Sequence, residues 1–336
     1  MIKKSFFWSK KNILITGACG SIGTELTSEL IKINTGKIIL FDNNENGIYK
    51  LLEKHKKNKN IVPVLGDVRN YNSLLESLKN IQIVFHGAAL KHVNVGELCP
   101  NEIIETNING VKNLIKSSIE TNVSKVLFMS SDKAINPTNV MGASKLLGEK
   151  LINAANQRHI ATKFFTTRFG NVLGSSGSAL GKFLKQIKKG EAVTLTDFKM
   201  TRFIMTHKEA IELLLIACEK AKGKEIFVSK MRAIKIHSLI LALFSIFKKK
   251  IRSKVNENIK IIGATKGEKF YEELMNNEEV EKAVSKKKFF VINDESPNKN
   301  DVLKIYNSKN EKLLEIKEII TILEKDQKFI ELALSE

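Results

Sequence analysis

The chain has 336 residues, of which 43% are hydrophobic and 27% are charged. This composition is typical of a globular protein with a sizeable core and excludes a disordered chain. The formal net charge is +19 at pH 7, but the lysines are spread along the whole chain and no nucleic-acid-binding motif is present, so we expect no nucleic-acid partner.

No segment is predicted to span a membrane. The most apolar stretch, residues 236–247, has about a dozen residues, against about 20 for a spanning helix. We predict a buried helix there, with the lysines at 248–250 favourably placed at its C-terminal end. Three scattered cysteines, Cys19, Cys99 and Cys218, suit neither a disulfide framework nor a metal site, and we expect a cytoplasmic protein without a metal.

Short apolar runs alternate with longer helical patterns through the first half of the chain. Strands are predicted at residues 12–16, 37–41, 61–65, 81–85, 126–129 and 164–167, and helices at residues 21–33, 103–121 and 142–156. Strands that are apolar on both faces and separated by helices predict an α/β fold with a doubly wound parallel sheet. Such a sheet binds ligands at the carboxyl ends of its strands.

The pattern changes after about residue 172, which predicts three regions. Residues 1–172 are expected to form a dinucleotide-binding domain, with a strand near residues 225–229 returning to its sheet. Residues 173–295 are expected to form a smaller substrate-binding region. Residues 300–336 are predicted to form a helical tail, typical of a covering helix or of a contact between copies of the chain.

A glycine-rich loop follows the first predicted strand and opens a helix. Its glycines permit a tight turn and close backbone approach, and the helix N-terminus offers N–H groups to a pyrophosphate. The predicted cofactor contacts in this loop are Gly17, Gly20, Ser21, Ile22 and Gly23.

Residues after the next strands complete the predicted cofactor site. Asp42 ends the second strand, where a carboxylate binds the adenosine ribose hydroxyls and repels a 2′-phosphate; this favours NAD, with NADP as the alternative. Asp67 and Val68 are predicted near the adenine, with a simple turn as the alternative for Asp67. Ala88 and Ala89 are small enough for the cofactor to pass close by.

The fifth predicted strand ends in Ser131, Asp132 and Lys133. A carboxylate beside a lysine, at the edge where the nicotinamide would lie, provides an acid and a base. A lysine acts as a base only when it is neutral, so we expect burial or positive neighbours to lower its pKa. A surface ion pair is the alternative.

Four segments, at residues 128–145, 168–178, 200–206 and 267–274, closely resemble the nucleotide-sugar 4,6-dehydratases of the polysaccharide-biosynthesis branch of extended short-chain dehydrogenases. The resemblance runs from about residue 11 to residue 279. It implies a Rossmann fold, a UDP-sugar substrate such as UDP-N-acetylglucosamine and a homo-oligomer. It also implies a reaction in which hydride leaves C4, water is lost across C5 and C6, and hydride returns to C6.

The resemblance assigns roles to the residues of the fifth strand and the next helix. Asp132 would be the acid, Lys133 the C5 base and Ser131 a partner of the sugar O4, while Lys145 would hold the nicotinamide ribose. Met141 stands where a tyrosine is usual, and a thioether exchanges no proton. It favours the branch that retains the C5 configuration, and it leaves Asp132 and a water as alternative acceptors of the O4 proton.

The resemblance also implies substrate contacts, partly to phosphates and partly near the nucleotide. They are Lys91, Asn171, Ser178, Thr194, Thr196, Arg202, Lys266 and Glu268. For Arg202 a structural salt bridge is the alternative. Lys266 departs from the arginine–proline pair of relatives and would contact phosphate as a point charge.

Two other functions stay open. A nucleotide-sugar 4-epimerase shares the cofactor and the first hydride step but needs no acid–base pair for water loss. A catalytically silent NAD(P)-binding regulator is suggested by Met141. Many relatives carry an N-terminal membrane-spanning region, and we expect this chain to correspond to their soluble catalytic form.

Overall fold

The computed structural model describes residues 6–33, 35–158, 161–251, 255–264, 267–293 and 306–334. Its strands are β1 (Ile13–Thr16), β2 (Ile38–Asp42), β3 (Ile61–Leu65), β4 (Ile83–His86), β5 (Lys125–Ser131), β6 (Lys163–Phe169), β7 (Asn171–Val172), β8 (Val193–Leu195), β9 (Thr201–Met205), β10 (Ile226–Ser229), β11 (Arg232–Lys235), β12 (Ile259–Ile261), β13 (Ala283–Ser285) and β14 (Phe289–Ile292).

Helices connect most of these strands. They are α1 (Ser21–Lys32), α2 (Glu45–Lys54), α3 (Tyr71–Ser77), α4 (Val93–Leu98), α5 (Pro100–Ile103), α6 (Gly110–Glu120), α7 (Val140–Arg158), α8 (Ala179–Lys188), α9 (His207–Lys220), α10 (Ile236–Ile246), α11 (Asn277–Lys282), α12 (Ile316–Lys325) and α13 (Gln327–Leu334). A π-helical stretch, Ile104–Asn109, joins α5 to α6, and a 3-10 turn, Asp132–Ala134, follows β5.

The central sheet has nine strands in the order β13-β14-β10-β6-β5-β4-β1-β2-β3. All neighbours from β3 to β10 pair in parallel, while β14 and β13 add an antiparallel edge. Every residue of β1 and β4 is buried, as expected for strands covered on both faces. The predicted doubly wound α/β fold is confirmed, and the predicted returning strand is β10.

Apolar side chains pack on both faces of the sheet. Leu26 of α1 and Ile211 of α9 belong to the cluster on one face, and Leu114 of α6 and Ile152 of α7 belong to the cluster on the other. A third cluster joins α8, α10 and α12 beyond the carboxyl edge. The apolar stretch near residue 240 is therefore a buried helix, α10, as predicted. The division of the chain into three regions stays a prediction.

Arg168 anchors the segment before α11 to the sheet. Its guanidinium lies at the end of β6 with its side chain 0% exposed, and it donates two hydrogen bonds of 3.1 and 2.5 Å to Glu149 of α7. Two further bonds of 2.9 Å reach Glu279 of α11, and another of 2.9 Å reaches the carbonyl of Leu274. These contacts hold the chain around Leu274 against the carboxyl edge of the sheet.

Replacing Arg168 by methionine is expected to lower the free energy of unfolding by about 3–5 kcal/mol, because Glu149 is left as an uncompensated buried charge. Urea unfolding at pH 7 measures the loss. Arg232→Met is the matched control, since the Arg232–Glu209 pair is partly exposed and should be worth less than about 1 kcal/mol. Equal losses in the two variants would contradict the role of Arg168.

His86 is a packed histidine at the end of β4, 1% exposed. The hydroxyl of Thr16 accepts the backbone N–H of Ala88 and lies 2.7 Å from His86 Nδ1. Burial, together with the charge of Lys145, lowers the pKa of His86 to about 3. The imidazole is therefore neutral near pH 7.

His86 is expected to make the fold sensitive to acid. The unfolded chain binds a proton at this residue below about pH 6.5 and the folded chain does not, so stability is present above that pH and falls below it. The residue should account for a loss of about 2 kcal/mol between pH 7 and pH 5. Urea unfolding at the two pH values measures the effect. The free energy of unfolding of the His86→Phe variant should fall by about 2 kcal/mol less than that of wild type between pH 7 and pH 5. An equal fall in the two proteins would show that His86 is not the source of the acid sensitivity.

Candidate active site

Two cavities lie along the carboxyl edge of the parallel strands. The first cavity has a volume of about 760 Å³ and follows the ends of β1, β2, β4 and β5. The second cavity has a volume of about 470 Å³ and lies toward α8, β8 and β9. Five residues line both of them: Lys133, Asn171, Val172, Gly177 and Ser178. Lys133 is the charged residue among these five.

The first cavity is lined by every residue predicted to contact the cofactor. They are Gly17, Gly20, Ser21, Ile22, Gly23, Asp42, Asp67, Val68, Ala88, Ala89 and Lys145. Gly17 has a φ of +69°, and a Cβ on it would lie 2.7 Å from the backbone nitrogen of Ala88, so the turn requires glycine. Gly20 is the N-cap of α1 and makes no side-chain hydrogen bond to it. The backbone N–H groups at the N-terminus of α1 are therefore available to an anionic ligand in the cavity.

Two carboxylates, those of Asp42 and Asp67, line the part of the first cavity at the ends of β2 and β3. Asp42 accepts hydrogen bonds of 2.9 Å from the backbone nitrogens of Cys19 and Asn44, and so fixes the loop that follows β1. Asp67 forms an ion pair of 2.6 Å with Arg69 and accepts its backbone N–H. The hydrogen bonds of Arg69 hold the pKa of Asp67 below its usual range despite partial burial. Asp67 therefore stabilises the turn that follows β3, through the backbone N–H of Arg69, and also lines the cavity.

Lys145 of α7 lines the first cavity. Its ammonium group donates a hydrogen bond of 2.9 Å to the carbonyl of Met129 and lies 4.9 Å from the ring centroid of Phe128. Burial lowers the pKa of Lys145 to about 8, although Glu149 opposes the shift. The hydroxyl of Ser130, which also lines this cavity, is buried and has no hydrogen-bond partner among the described residues. These donors fit a dinucleotide that brings its own polar groups.

Ser131, Asp132 and Lys133 form one hydrogen-bonded group at the end of β5. The hydroxyl of Ser131 caps the 3-10 turn by accepting the backbone N–H of Lys133 at 3.2 Å, and it donates to Asp132 Oδ1 at 2.5 Å. Lys133 Nζ donates to the same oxygen at 3.0 Å. The Asp132 side chain is only 1% exposed and that of Lys133 is 31% exposed, so the ion pair has a buried carboxylate and a partly exposed lysine.

A second buried carboxylate, Glu272, faces this group and was missing from the residues predicted from the sequence. Its Oε1 lies 3.5 Å from Lys133 Nζ and 3.2 Å from Arg202 Nε. Its Oε2 accepts the amide of Asn171 at 2.9 Å and the backbone N–H of Phe203 at 3.2 Å. Burial and the nearby charge of Asp132 raise the pKa of Glu272 to about 7.

The expectation of a lowered pKa for Lys133 is wrong for this arrangement. Burial alone lowers it, but the carboxylates of Asp132 and Glu272 more than offset burial and hold the pKa of Lys133 above its ordinary value. Lys133 is therefore a charged ammonium group. The same ammonium offsets burial at Asp132 and lowers the pKa of that carboxyl.

The second cavity holds most of the predicted substrate contacts. Those that line it are Asn171, Ser178, Thr194, Thr196, Arg202 and Glu268. The hydroxyl of Ser178, which stands before α8, is buried with no hydrogen-bond partner in the described parts of the chain. Arg202 does form a structural salt bridge, with Glu272.

Of the other two predicted substrate contacts, one lies in the first cavity and one is not described by the structure. Lys91 lines only the first cavity, where its ammonium group donates to the carbonyl of Ser176 at 2.5 Å. Lys266 lies outside the described residues. Within the described ranges there is no cluster of His, Cys, Asp and Glu side chains that would hold a metal ion, and no helix has the length and apolar character needed to cross a membrane.

Known proteins resemble the chain over most of its length. The chain is 43% identical over 95% of its length to an uncharacterised membrane protein of Methanocaldococcus jannaschii, 97% of which is covered. It is 42% identical over 81% of its length to a capsular polysaccharide biosynthesis protein, CapD, of Staphylococcus aureus, but spans only 46% of that relative. It is also 37% identical, over 93% of this chain and 95% of the relative, to a UDP-glucose 4-epimerase of Rickettsia bellii.

Solved structures share the fold. Pen from Bacillus thuringiensis superposes with a TM-score of 0.91 at 38% identity, covering 96% of this chain and 99% of that one. A dTDP-glucose 4,6-dehydratase from Streptomyces venezuelae, solved with NAD, superposes with a TM-score of 0.68 at 19% identity over 77% of this chain and 86% of that one. The family model described as polysaccharide biosynthesis protein matches residues 13–294, and the chain belongs to this family.

Proposed function

We propose that the protein is a nucleotide-sugar 4,6-dehydratase that uses NAD and converts UDP-N-acetylglucosamine into its 4-keto-6-deoxy derivative with retention at C5. The observation that carries the proposal is the ion pair of the buried Asp132 carboxylate with Lys133, which lies at the junction of the two cavities. An acid and a base at the meeting point of a cofactor cavity and a substrate cavity suit an elimination of water. Relatives named for polysaccharide synthesis and for epimerisation of a UDP-sugar support a nucleotide-sugar substrate.

The first cavity would hold the dinucleotide. The N-terminus of α1 would bind its pyrophosphate, Asp42 its adenosine ribose and Lys145 its nicotinamide ribose. When bound, the nicotinamide supplies the acceptor for hydride from C4 and the donor of hydride to C6. The second cavity would hold the nucleotide sugar, with the unpartnered hydroxyl of Ser178 available to a phosphate oxygen.

The residues at the junction then move protons. Lys133, after it has released its ammonium proton, removes the proton from C5. Asp132, after it has taken up a proton, gives it to the departing C6 hydroxyl, which leaves as water. Ser131 holds the O4 oxygen by a hydrogen bond. Because Lys133 approaches from one face of the sugar, the proton that it returns to C5 restores the original configuration. Met141 lines the cavity but exchanges no proton.

A nucleotide-sugar 4-epimerase is the second candidate, favoured by the Rickettsia relatives. The first experiment incubates the purified protein with UDP-N-acetylglucosamine, without added cofactor, and follows the product by mass spectrometry and NMR. Loss of one water with a C6 methyl signal supports the dehydratase, and the C5 coupling tests retention. A 4-epimer of unchanged mass favours the epimerase. No reaction, even with added NAD or NADP and with other nucleotide sugars, favours the silent NAD(P)-binding regulator.

Replacing Lys133 by methionine, or Asp132 by asparagine, is expected to lower kcat by about 10² to 10⁴, the usual contribution of a positioned acid or base. KM for the nucleotide sugar should change little, because the phosphates bind elsewhere in the second cavity. Steady-state kinetics measure both constants. Lys79→Met removes an exposed lysine paired with Glu76 and should leave kcat unchanged. Full activity of the Lys133→Met variant would exclude Lys133 as the base.

A further inference from the structure

Lys133 faces two buried carboxylates from different parts of the chain. Its Nζ lies 3.0 Å from Asp132 Oδ1 and 3.5 Å from Glu272 Oε1. The side chains of Asp132 and Glu272 are 1% and 6% exposed, whereas that of Lys133 is 31% exposed, so two buried carboxylates face one partly exposed ammonium group. In the proposed dehydratase reaction Asp132 protonates the departing hydroxyl, whereas Glu272 has no role so far.

A charged lysine cannot act as the base that the proposed reaction needs at C5. Lys133 carries an extra proton and must release it before it can take the C5 proton. Asp132 does not serve as the acceptor, because it has to collect the O4 proton and deliver it to the C6 hydroxyl. A second acceptor beside Lys133 is therefore required.

We propose that Glu272 is this acceptor: it takes the ammonium proton of Lys133 in each turnover and returns it at the end. Glu272 acts through Lys133 and not on the sugar. The inference rests on the proposed dehydratase function and extends it by one residue.

The proton transfers balance. Asp132 takes the O4 proton as hydride leaves C4, and Lys133 passes its ammonium proton to Glu272. Neutral Lys133 then breaks the C5–H bond, the electron pair forms the C5–C6 double bond, and the C6–O bond breaks as Asp132 protonates the departing hydroxyl. Finally C6 receives the hydride, Lys133 returns the proton to C5, and Glu272 returns its proton to Lys133. Each residue ends with the protons that it had at the start, and one water has been released.

Two properties of Glu272 suit this role. Its pKa of about 7 lets it gain and lose a proton near neutral pH. In its ionised form the Asn171 amide and the Phe203 N–H stabilise it, and in its protonated form it can donate to Asp132. The oxygen Oδ2 of Asp132 is buried and has no hydrogen-bond partner among the described residues.

The charged groups around Glu272 come from three parts of the fold. Asp132 and Lys133 face it from the end of β5, Arg202 from β9 and Lys269 from its own segment. The backbone of Glu272 is held on its other side by Ser308, whose hydroxyl accepts the Glu272 N–H at 2.9 Å and whose N–H donates to the Glu272 carbonyl at 2.8 Å. The carboxylate is therefore fixed in place beside Lys133.

The test compares kcat and KM of wild type, Glu272→Gln and Glu272→Asp for dehydration of UDP-N-acetylglucosamine between pH 6 and pH 10. Glu278→Gln, the same change at a surface position of α11, is the matched control. We expect Glu272→Gln to lower kcat at pH 7 by about 10² or more with little change in KM. Its kcat should rise about tenfold per pH unit as bulk water takes over removal of the Lys133 proton.

A second readout needs neither cofactor nor substrate. The rate at which acetic anhydride modifies Lys133, measured by peptide mass spectrometry at pH 8, reports its neutral fraction. Glu272→Gln removes one of two anions beside Lys133, so modification should be faster than in wild type. Glu272→Asp, which keeps a carboxylate, should keep the wild-type pH profile of kcat even if it is slower.

Four outcomes overturn the inference. Equal kcat for Glu272→Gln and Glu278→Gln would show that Glu272 takes no part. A loss of kcat in Glu272→Gln that is the same at every pH would show a merely structural role, and so would a loss of the wild-type profile in Glu272→Asp. If wild type itself dehydrates no nucleotide sugar, the proposed function fails and the inference falls with it.

Discussion

The buried guanidinium of Arg168 sets a constraint that the rest of the site depends on. A charge with no exposure to water must be neutralised inside the fold, and Arg168 meets this need with Glu149 from α7 and Glu279 from α11. Because Glu279 follows the 267–274 segment closely in the chain, the ion pair draws that segment onto the carboxyl edge of the sheet. The same segment carries Glu272 to the end of β5.

This placement produces an unusual balance of charge at the junction of the cavities. One lysine lies between two buried carboxylates, with Arg202 behind the second of them. The ammonium keeps Asp132 ionised, whereas Glu272, buried beside another carboxylate, holds a proton more readily. Three titratable groups with different proton affinities, all within reach of one another, provide what a reaction with several proton transfers requires.

Local patterns in the sequence were sufficient for the fold and for the first cavity. The strands repeat apolar residues over short runs, and the glycine loop lies within one β-α unit, so neighbours in the chain determine the structure there. Every predicted cofactor contact therefore lines one cavity, although binding itself stays a prediction.

Long-range contacts are what the sequence left open. The ionisation of Lys133 was predicted wrongly because Glu272, more than a hundred residues further along the chain, supplies the second negative charge. The 267–274 segment contains Glu268, Glu272 and Glu273, and spacing alone does not tell which of them turns toward the site. That choice is made by the contacts of Ser308, Asn171 and Arg168 with this segment.

We infer that the reacting centre lies where the two cavities meet, at Asp132 and Lys133. A crystal structure of the Lys133→Met variant with NAD and UDP-N-acetylglucosamine tests it most directly. We expect the sugar ring at the junction, with the nicotinamide in the first cavity and the UDP group in the second. The sugar C5 should lie within about 4 Å of the substituted side chain at position 133, close enough for reaction with the native lysine. A sugar ring bound away from residues 131–133, or the UDP group of the substrate in the first cavity, would contradict this placement.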